Sequence, residues 1–471
     1  MKMYVAEQWV EKSEKIEVTN PFDETVVDTV PSATLEDVDC ALKTAQKGAE
    51  IMEKIEMHER SELLKKVADQ VEANLEELAE TITLEEGKII SEARVEVSRA
   101  VQTLLVSAEE AKRLTGDMIP LGGAPGSGNR LGFTLRVPCG VVAAVTPFNF
   151  PLNLVAHKVG PALAAGNSVI IKPASDTPLS ALKLTEIILN AGFPQASVQC
   201  ITGSGRSIGR ALCSDRRVRK ITFTGSRDVG EDICKVAGLK RVTMELGSNA
   251  PLIVMPDADL EKVCQAILST GYSNAGQVCI SAQRVLALPD IYSELGEKLG
   301  PKVSNINLGN PLREETNMGP MIREQDAQRV QSWVQEAVSG GAKILTGGER
   351  NGTMHTPTLV ADVNPAMRIS CEELFGPVVA LSPCGSIEEA IQLANNSNYG
   401  LSAGIFTQDL EWAMKFAREV QSGNLHINWG PQWRADLMPY GGLKESGFGK
   451  EGPKYAIREM SEEKMVVMHL N

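Results

Sequence analysis

The sequence predicts an α/β protein of two or three domains built on a parallel sheet, and three observations lead there. Between Val141 and Gly247, short apolar runs alternate with helical text: "VVAAVTPF", "LVAHKVGPALAAG", "NSVIIKP", "LSALKLTEIILNAG", "VQCITG", "KITFTGS", "VGEDICKVAG" and "RVTMELG". That rhythm describes parallel strands covered on both faces by crossover helices, with ligands docking at the carboxyl ends of the strands. A second α/β segment follows from Ser248 to Ser422, carrying "PLIVMPD", a helix near "EQDAQRVQSWVQEAVSGGA", and "CEELFGPVVAL". Finally, 471 residues with 43% hydrophobic and 23% charged side chains are ordinary globular usage in a chain too long for one core.

The remaining elements fall around this centre. From Thr34 to Arg113, apolar residues recur at three- and four-residue intervals among many charges, the pattern of surface helices with one buried face. "GDMIPLGGAPGSGNRLGFTLRVPCG" gathers glycines and prolines before an alternating "RLGFTLRV", an irregular connection leading into a hairpin or projecting strand suited to subunit contact. The last residues alternate again in "KMVVMHL", a strand of the kind that pairs with a sheet edge, its own or a neighbour's.

Composition excludes several classes of partner. A formal charge of −13, from 47 basic and 60 acidic residues, argues against nucleic acid or an anionic membrane. The opening "MKMYVAEQWVEKSEK" has no continuous apolar run, and no stretch approaches the roughly 18 apolar residues of a membrane span. The expectation is a cytoplasmic protein. Nine scattered cysteines without C-x-x-C and five histidines without H-x-x-x-H spacing point to neither a disulfide framework nor a metal site.

Several residues stand where chemistry is done in such sheets. "TGSGRSIG", with Gly205 and Gly209, and "FTGSRDVG", with Gly225 and Gly230, lie between strand and helix. Backbone N–H groups there receive a phosphate, although each stretch read singly is equally a tight turn. Lys172 ends the strand "NSVIIKP", placed to hold a ribose hydroxyl or phosphate or to snorkel at the surface. Glu245 ends "RVTMELG" and can take a proton from water if burial raises its pKa. Asn149 in "TPFNFP" closes the first strand, where its amide can donate to a developing oxyanion or simply complete a turn. Cys279 in "NAGQVCISAQR" is, by itself, one more small buried hydrophobe.

In order along nearly the whole chain, "TPFNFP", "KP" after an apolar strand, "FTGS", "MELG", "GQVC", "EELFGPV" and "PYGGLKESGFGKEG" together resemble the NAD(P)-dependent aldehyde dehydrogenase superfamily. The local wording is similar to lactaldehyde-, glyceraldehyde- and semialdehyde-type members. The resemblance implies a Rossmann-type cofactor domain (residues 1–113, 136–247 and 423–455), an α/β catalytic domain (248–422) and a projecting oligomerisation strand element (114–135 and 456–471) in a homodimer or homotetramer. It implies that Cys279 adds to the aldehyde carbon and that the Cys279 N–H and the Asn149 amide hold the oxyanion. Glu245 then activates the water that hydrolyses the thioester. For the cofactor it assigns Lys172 to the adenosine ribose, Gly225 and Ser226 to the pyrophosphate turn, and Glu373 with Phe375 to the nicotinamide ribose. Thr146, Phe148, Gly205, Gly209, Gly230 and Leu246 complete that set.

One position departs from the NAD-preferring pattern: Ser175 stands where those members carry a glutamate that would repel a 2′-phosphate. NADP is therefore the expected cofactor, with NAD as a second. Around the substrate, His157 occupies a tunnel position that is often aromatic, and Val278 and Ile280 flank the nucleophile. Members taking phosphorylated aldehydes often have arginine at the position of Val278. Arg99 and Arg434 resemble positions that face the tunnel and can pair with an anionic tail. The expected substrate is a short polar or anionic aldehyde. A CoA-acylating enzyme and a non-catalytic cofactor-binding relative are the alternatives, and the presence of Glu245 opposes the first.

Overall fold

The structure is a computed structural model in which residues 1–470 are described. Five parallel strands form the centre of the first sheet, in the order Val198–Cys200, Ser168–Lys172, Val141–Val145, Val218–Thr224 and Arg241–Glu245. Chain order runs outward in both directions from Val141–Val145, so a topological switch point lies beside that strand, where a dinucleotide docks in such sheets. Alternate residues of the strand enter different cores: Val142 and Ala144 pack on one face, Val141, Ala143 and Val145 on the other. A strand buried on both faces has no polar side, which is why it reads as a continuous apolar run. Antiparallel strands extend both sides, Met3–Val5 and then Gln8–Val10 beyond Val198–Cys200, and Gly447–Phe448 beside Arg241–Glu245.

The second sheet has seven strands in the order Lys343–Thr346, Thr358–Ala361, Val378–Pro383, Ala282–Ala287, Ala250–Val254, Ser402–Phe406 and Asn424–Ile427. All pairs are parallel except the first. Asn424–Ile427 thus belongs to this sheet, so the boundary drawn at residue 423 from the sequence falls one strand too early. The reason is a short parallel pairing, Ser402↔Asn424 to Ile405↔Ile427, that four residues of mixed character do not announce.

A third sheet stands off these two. Arg130–Pro138 pairs antiparallel with Ser461–His469 over nine residues, with Met118–Ile119 on its other side. The C-terminal strand thus finds its partner within the chain. Leu131, Leu135, Met465, Val467 and Met468 stay exposed on this pair. No helix among the described residues is long and apolar enough to cross a membrane.

Candidate active site

The turn that carries Cys279 joins the helix Leu260–Gly271 to the strand Ala282–Ala287. Three successive residues before it take left-handed conformations: Asn274 (φ 49°), Ala275 (φ 52°) and Gly276 (φ 70°). Such a turn persists only when its surroundings over-determine it. Here the Asn274 N–H donates to Glu92 Oε2 (2.9 Å), and its side-chain amide donates to Glu86 Oε1 (2.8 Å). A Cβ on Gly276 would lie 2.0 Å from the Gly376 carbonyl oxygen, so only glycine fits.

Asn149 reaches the same turn from the first sheet. Its Nδ2 donates to the Gln277 carbonyl at 2.8 Å, leaving one N–H for a further acceptor. Its own carbonyl accepts from Lys88 Nζ at 2.7 Å. Lys88 is buried, ion-paired to Glu96 at 2.5 Å, and Glu96 Oε1 also receives the Leu152 and Asn153 N–H groups. The loop after the strand Val141–Val145 is therefore pinned at its middle and at its far end.

Glu245 is 3% exposed, and neither carboxylate oxygen has a partner among the described residues. Burial, with Glu451 nearby, holds its pKa well above the ordinary range, while Arg434 and Lys158 pull the other way. Gly441 makes room for it: a Cβ there would lie 2.9 Å from Glu245 Oε1. Cys279 is half-buried. Its thiol is pushed up to about 12 by burial, opposed by a Tyr440 hydrogen bond and by Arg434 and reinforced by Glu373 and Glu245. Its Sγ lies 3.3 Å from the Tyr440 hydroxyl. Val278 and Ile280 pack beside it with Leu401, Tyr440 and Phe150.

Beyond Tyr440 lies a buried chain of charges. Arg434 stacks on the Tyr440 ring, 4.0 Å from its centroid, pairs with Glu451 Oε2 at 3.1 Å and donates to His157 Nδ1 at 3.1 Å. Because a guanidinium only donates, Nδ1 must accept, so His157 is neutral with its proton on Nε2, bonded to Asp436 at 2.9 Å. Burial, with Arg434 alongside, lowers His157 to about 4, consistent with that tautomer. Arg99 closes the chain on both oxygens of Asp436, at 2.9 and 3.2 Å. Glu451 also accepts from Lys158 at 2.7 Å and is held far below the usual range: its own burial opposes ionisation, and Lys158 and Arg434 prevail. The structure thus brings His157, Arg99 and Arg434 together. His157 is a buried support behind Arg434 rather than a free wall, and Arg99 is committed to Asp436.

The cofactor candidates line the carboxyl edge of the first sheet. Lys172 is buried, its Nζ donating to the Pro173 carbonyl at 2.6 Å. Burial lowers it to about 8, against the pull of Cys200 and Asp176. It is not the snorkelling surface lysine the sequence left open. Thr146 Oγ1 is buried without a partner among the described residues. A Cβ at Gly205 or Gly209 would meet nothing within 4 Å; Gly205 is exposed, whereas Gly209 is buried. Gly225 and Ser226 precede the helix Arg227–Ala237, Leu246 packs on Gly230, and Ser175 Oγ donates to the Gly203 carbonyl at 3.0 Å. Glu373 accepts the Ser248 N–H at 2.9 Å and is raised to about 7 by burial. Phe375 meets Phe148 edge-on at 5.9 Å. An ammonium and a hydroxyl short of partners, beside the exposed backbone of Gly205 and the helix start after Gly225, fit a phosphate- and ribose-bearing cofactor.

Residues 9–466 match the family model described as the aldehyde dehydrogenase family. The chain belongs to that family. It is 49% identical over 468 residues to the 3-sulfolactaldehyde dehydrogenase of Priestia aryabhattai, covering 99% of this chain and 98% of that one. Among solved structures it matches aldehyde dehydrogenase 21 of Physcomitrella patens in complex with the product succinate, with TM-score 0.97, 41% identity and 99% and 98% of the two chains. It also matches a Methanocaldococcus jannaschii glyceraldehyde-3-phosphate dehydrogenase complexed with NADP, with TM-score 0.94, 38% identity and 98% and 100% coverage. The activity that follows is NAD(P)-dependent oxidation of an aldehyde. Sequence reasoning missed Tyr440, Lys158, Glu451, Lys88 and Glu96. A lysine inside the otherwise apolar "LVAHKVGPALAAG" is the one signal that flags a buried charge.

Proposed function

We propose that this chain oxidises a short anionic 2-hydroxy aldehyde, 3-sulfolactaldehyde foremost and lactaldehyde as its uncharged analogue, to the carboxylic acid, with NADP preferred over NAD. The observation that supports the chemistry most directly is the unpartnered Glu245 carboxyl, near enough to Cys279 for its charge to oppose thiol ionisation. Cys279 adds through Sγ to the aldehyde carbon, and the carbonyl π pair moves to oxygen. The free N–H of the Asn149 amide and the Cys279 backbone N–H then stabilise that oxyanion. A bound nicotinamide dinucleotide supplies the hydride acceptor, and the acyl group is left on Cys279 as a thioester. Glu245 as carboxylate takes the proton of the water that cleaves it.

Charge balance supports an anionic tail. Lys158, Arg434 and Arg99 face only Glu451 and Asp436, while His157 is neutral and Glu245 is held toward its neutral form. That leaves three cations against two carboxylates, Arg99 being the partly exposed one, and Arg434 Nε is buried without an acceptor among the described residues. The resemblance between this chain and the Priestia enzyme over 468 residues points to a sulfonate for that place. For the cofactor, Lys172 and Thr146 hold the dinucleotide and Ser175 leaves space for a 2′-phosphate. The exposed apolar strand pair Arg130–Pro138 and Ser461–His469 is the surface through which we infer a homodimer or homotetramer forms. Steady-state kinetics with 3-sulfolactaldehyde, lactaldehyde, succinate semialdehyde, hexanal and benzaldehyde, each with NADP and NAD, test the assignment. The anionic substrates with NADP give the highest kcat/KM; superiority of hexanal or benzaldehyde, or a strong preference for NAD, overturns it. Acyl-CoA formation on adding CoA would establish the CoA-acylating alternative instead.

A further inference from the structure

Cys279 faces a difficulty that its surroundings make plain. Burial and the carboxylates of Glu373 and Glu245 all oppose its ionisation, and only Tyr440 and Arg434 favour it. Yet the thiolate is the nucleophilic form. The one hydrogen bond Sγ makes among the described residues is to the Tyr440 hydroxyl at 3.3 Å, and that hydroxyl has no other partner there.

We propose that Tyr440 is a catalytic residue whose phenolic O–H donates to Cys279 Sγ and stabilises the thiolate before it attacks. As a neutral thiol, either group can donate across this contact. Once sulfur carries the charge it can only accept, so the phenol becomes the donor and the bond becomes charge-assisted. No proton passes between them and no covalent bond changes at Tyr440.

The ring is built to stay in place. Its 4% exposure leaves it buried, and its backbone exchanges two hydrogen bonds with Glu451, at 3.1 and 2.7 Å. The Arg434 guanidinium lies over its face at 4.0 Å, itself fixed by Glu451 and His157. A cation over the π-face withdraws electron density and makes the phenol a better donor. Arg434 thereby acts on sulfur through the ring as well as directly, a positioning role compatible with its contact to a substrate tail.

The proposal depends on Cys279 being the nucleophile, and its test separates the two. Alkylation of Cys279 by iodoacetamide, followed by peptide mass spectrometry across the pH range, reads the thiolate whether or not turnover occurs. In Tyr440→Phe the alkylation profile moves up by about one pH unit, so that alkylation at neutral pH slows roughly tenfold. kcat/KM falls in parallel and recovers at alkaline pH, while KM for NADP is unchanged. With 3-fluorotyrosine in place of Tyr440, a more acidic phenol of nearly the same shape, the profile moves down. Superimposable alkylation profiles for the native and Tyr440→Phe proteins overturn the proposal, as does a fluorotyrosine shift in the same direction as phenylalanine. If Cys279→Ser instead retained full activity, the nucleophile assignment would fall while the alkylation result stood.

Discussion

Two buried carboxylates a few side chains apart have opposite fates. Glu451 accepts from Lys158 and Arg434 and stays ionised far below the usual range, its own burial notwithstanding. Glu245 has no partner among the described residues and is driven by burial toward its neutral form. The same division runs through the whole site. On the wall formed by Lys158, Glu451, Arg434, His157, Asp436 and Arg99, Arg434 Nε is the one buried side-chain atom without a partner among the described residues; near Cys279 both oxygens of Glu245 lack one. A satisfied buried charge holds geometry, whereas an unsatisfied one is free to change protonation state during a reaction.

The contrast can be broken from either side. On the open side, Cys279→Ala removes the nucleophile, and dehydrogenase kcat falls by about 10⁴-fold or more; NADP titration by fluorescence confirms an intact cofactor site. On the satisfied side, Glu451→Gln leaves Lys158 and Arg434 as uncompensated buried cations. Urea unfolding then shows a loss of about 3–5 kcal/mol, accompanied by displacement of Tyr440.

Glu245→Gln separates stability from activity. Because burial raises its folded-state pKa above the ordinary 4.5, the folded protein retains a proton that the unfolded chain releases. Native stability therefore falls as pH rises from that ordinary value through the raised one. Glutamine cannot ionise, so thermal melts show the variant gaining on the native protein as pH climbs through this window. Over the same window the native hydrolytic rate rises, because only the carboxylate takes a proton from water. The smallest effect is expected at Arg99, the partly exposed end of the charged wall. Arg99→Ala destabilises by about 0.2–1 kcal/mol in urea melts.

The sequence shows one side of this comparison far better than the other. Glu245 ends a strand of an apolar sheet and Asn149 lies in the loop just after the strand Val141–Val145, and local text places both. Lys158 and Glu451 meet across 293 positions, and nothing in the wording of either segment names the other. Tyr440 stands in the quoted "PYGG", but its role depends on a 3.3 Å approach to sulfur set by turns 161 residues apart. The short strands Met3–Val5 and Gly447–Phe448 are likewise unannounced, because two or three residues carry no periodicity and only the sheet they join defines them.

The most direct test of the central claim is a rapid-mixing experiment on Glu245→Gln with saturating NADP and aldehyde. The expected result is a burst of about one NADPH per active site, with the acyl group found on Cys279 by mass spectrometry and slow turnover afterwards. Steady turnover at the native rate, or no burst and no adduct on Cys279, would contradict it.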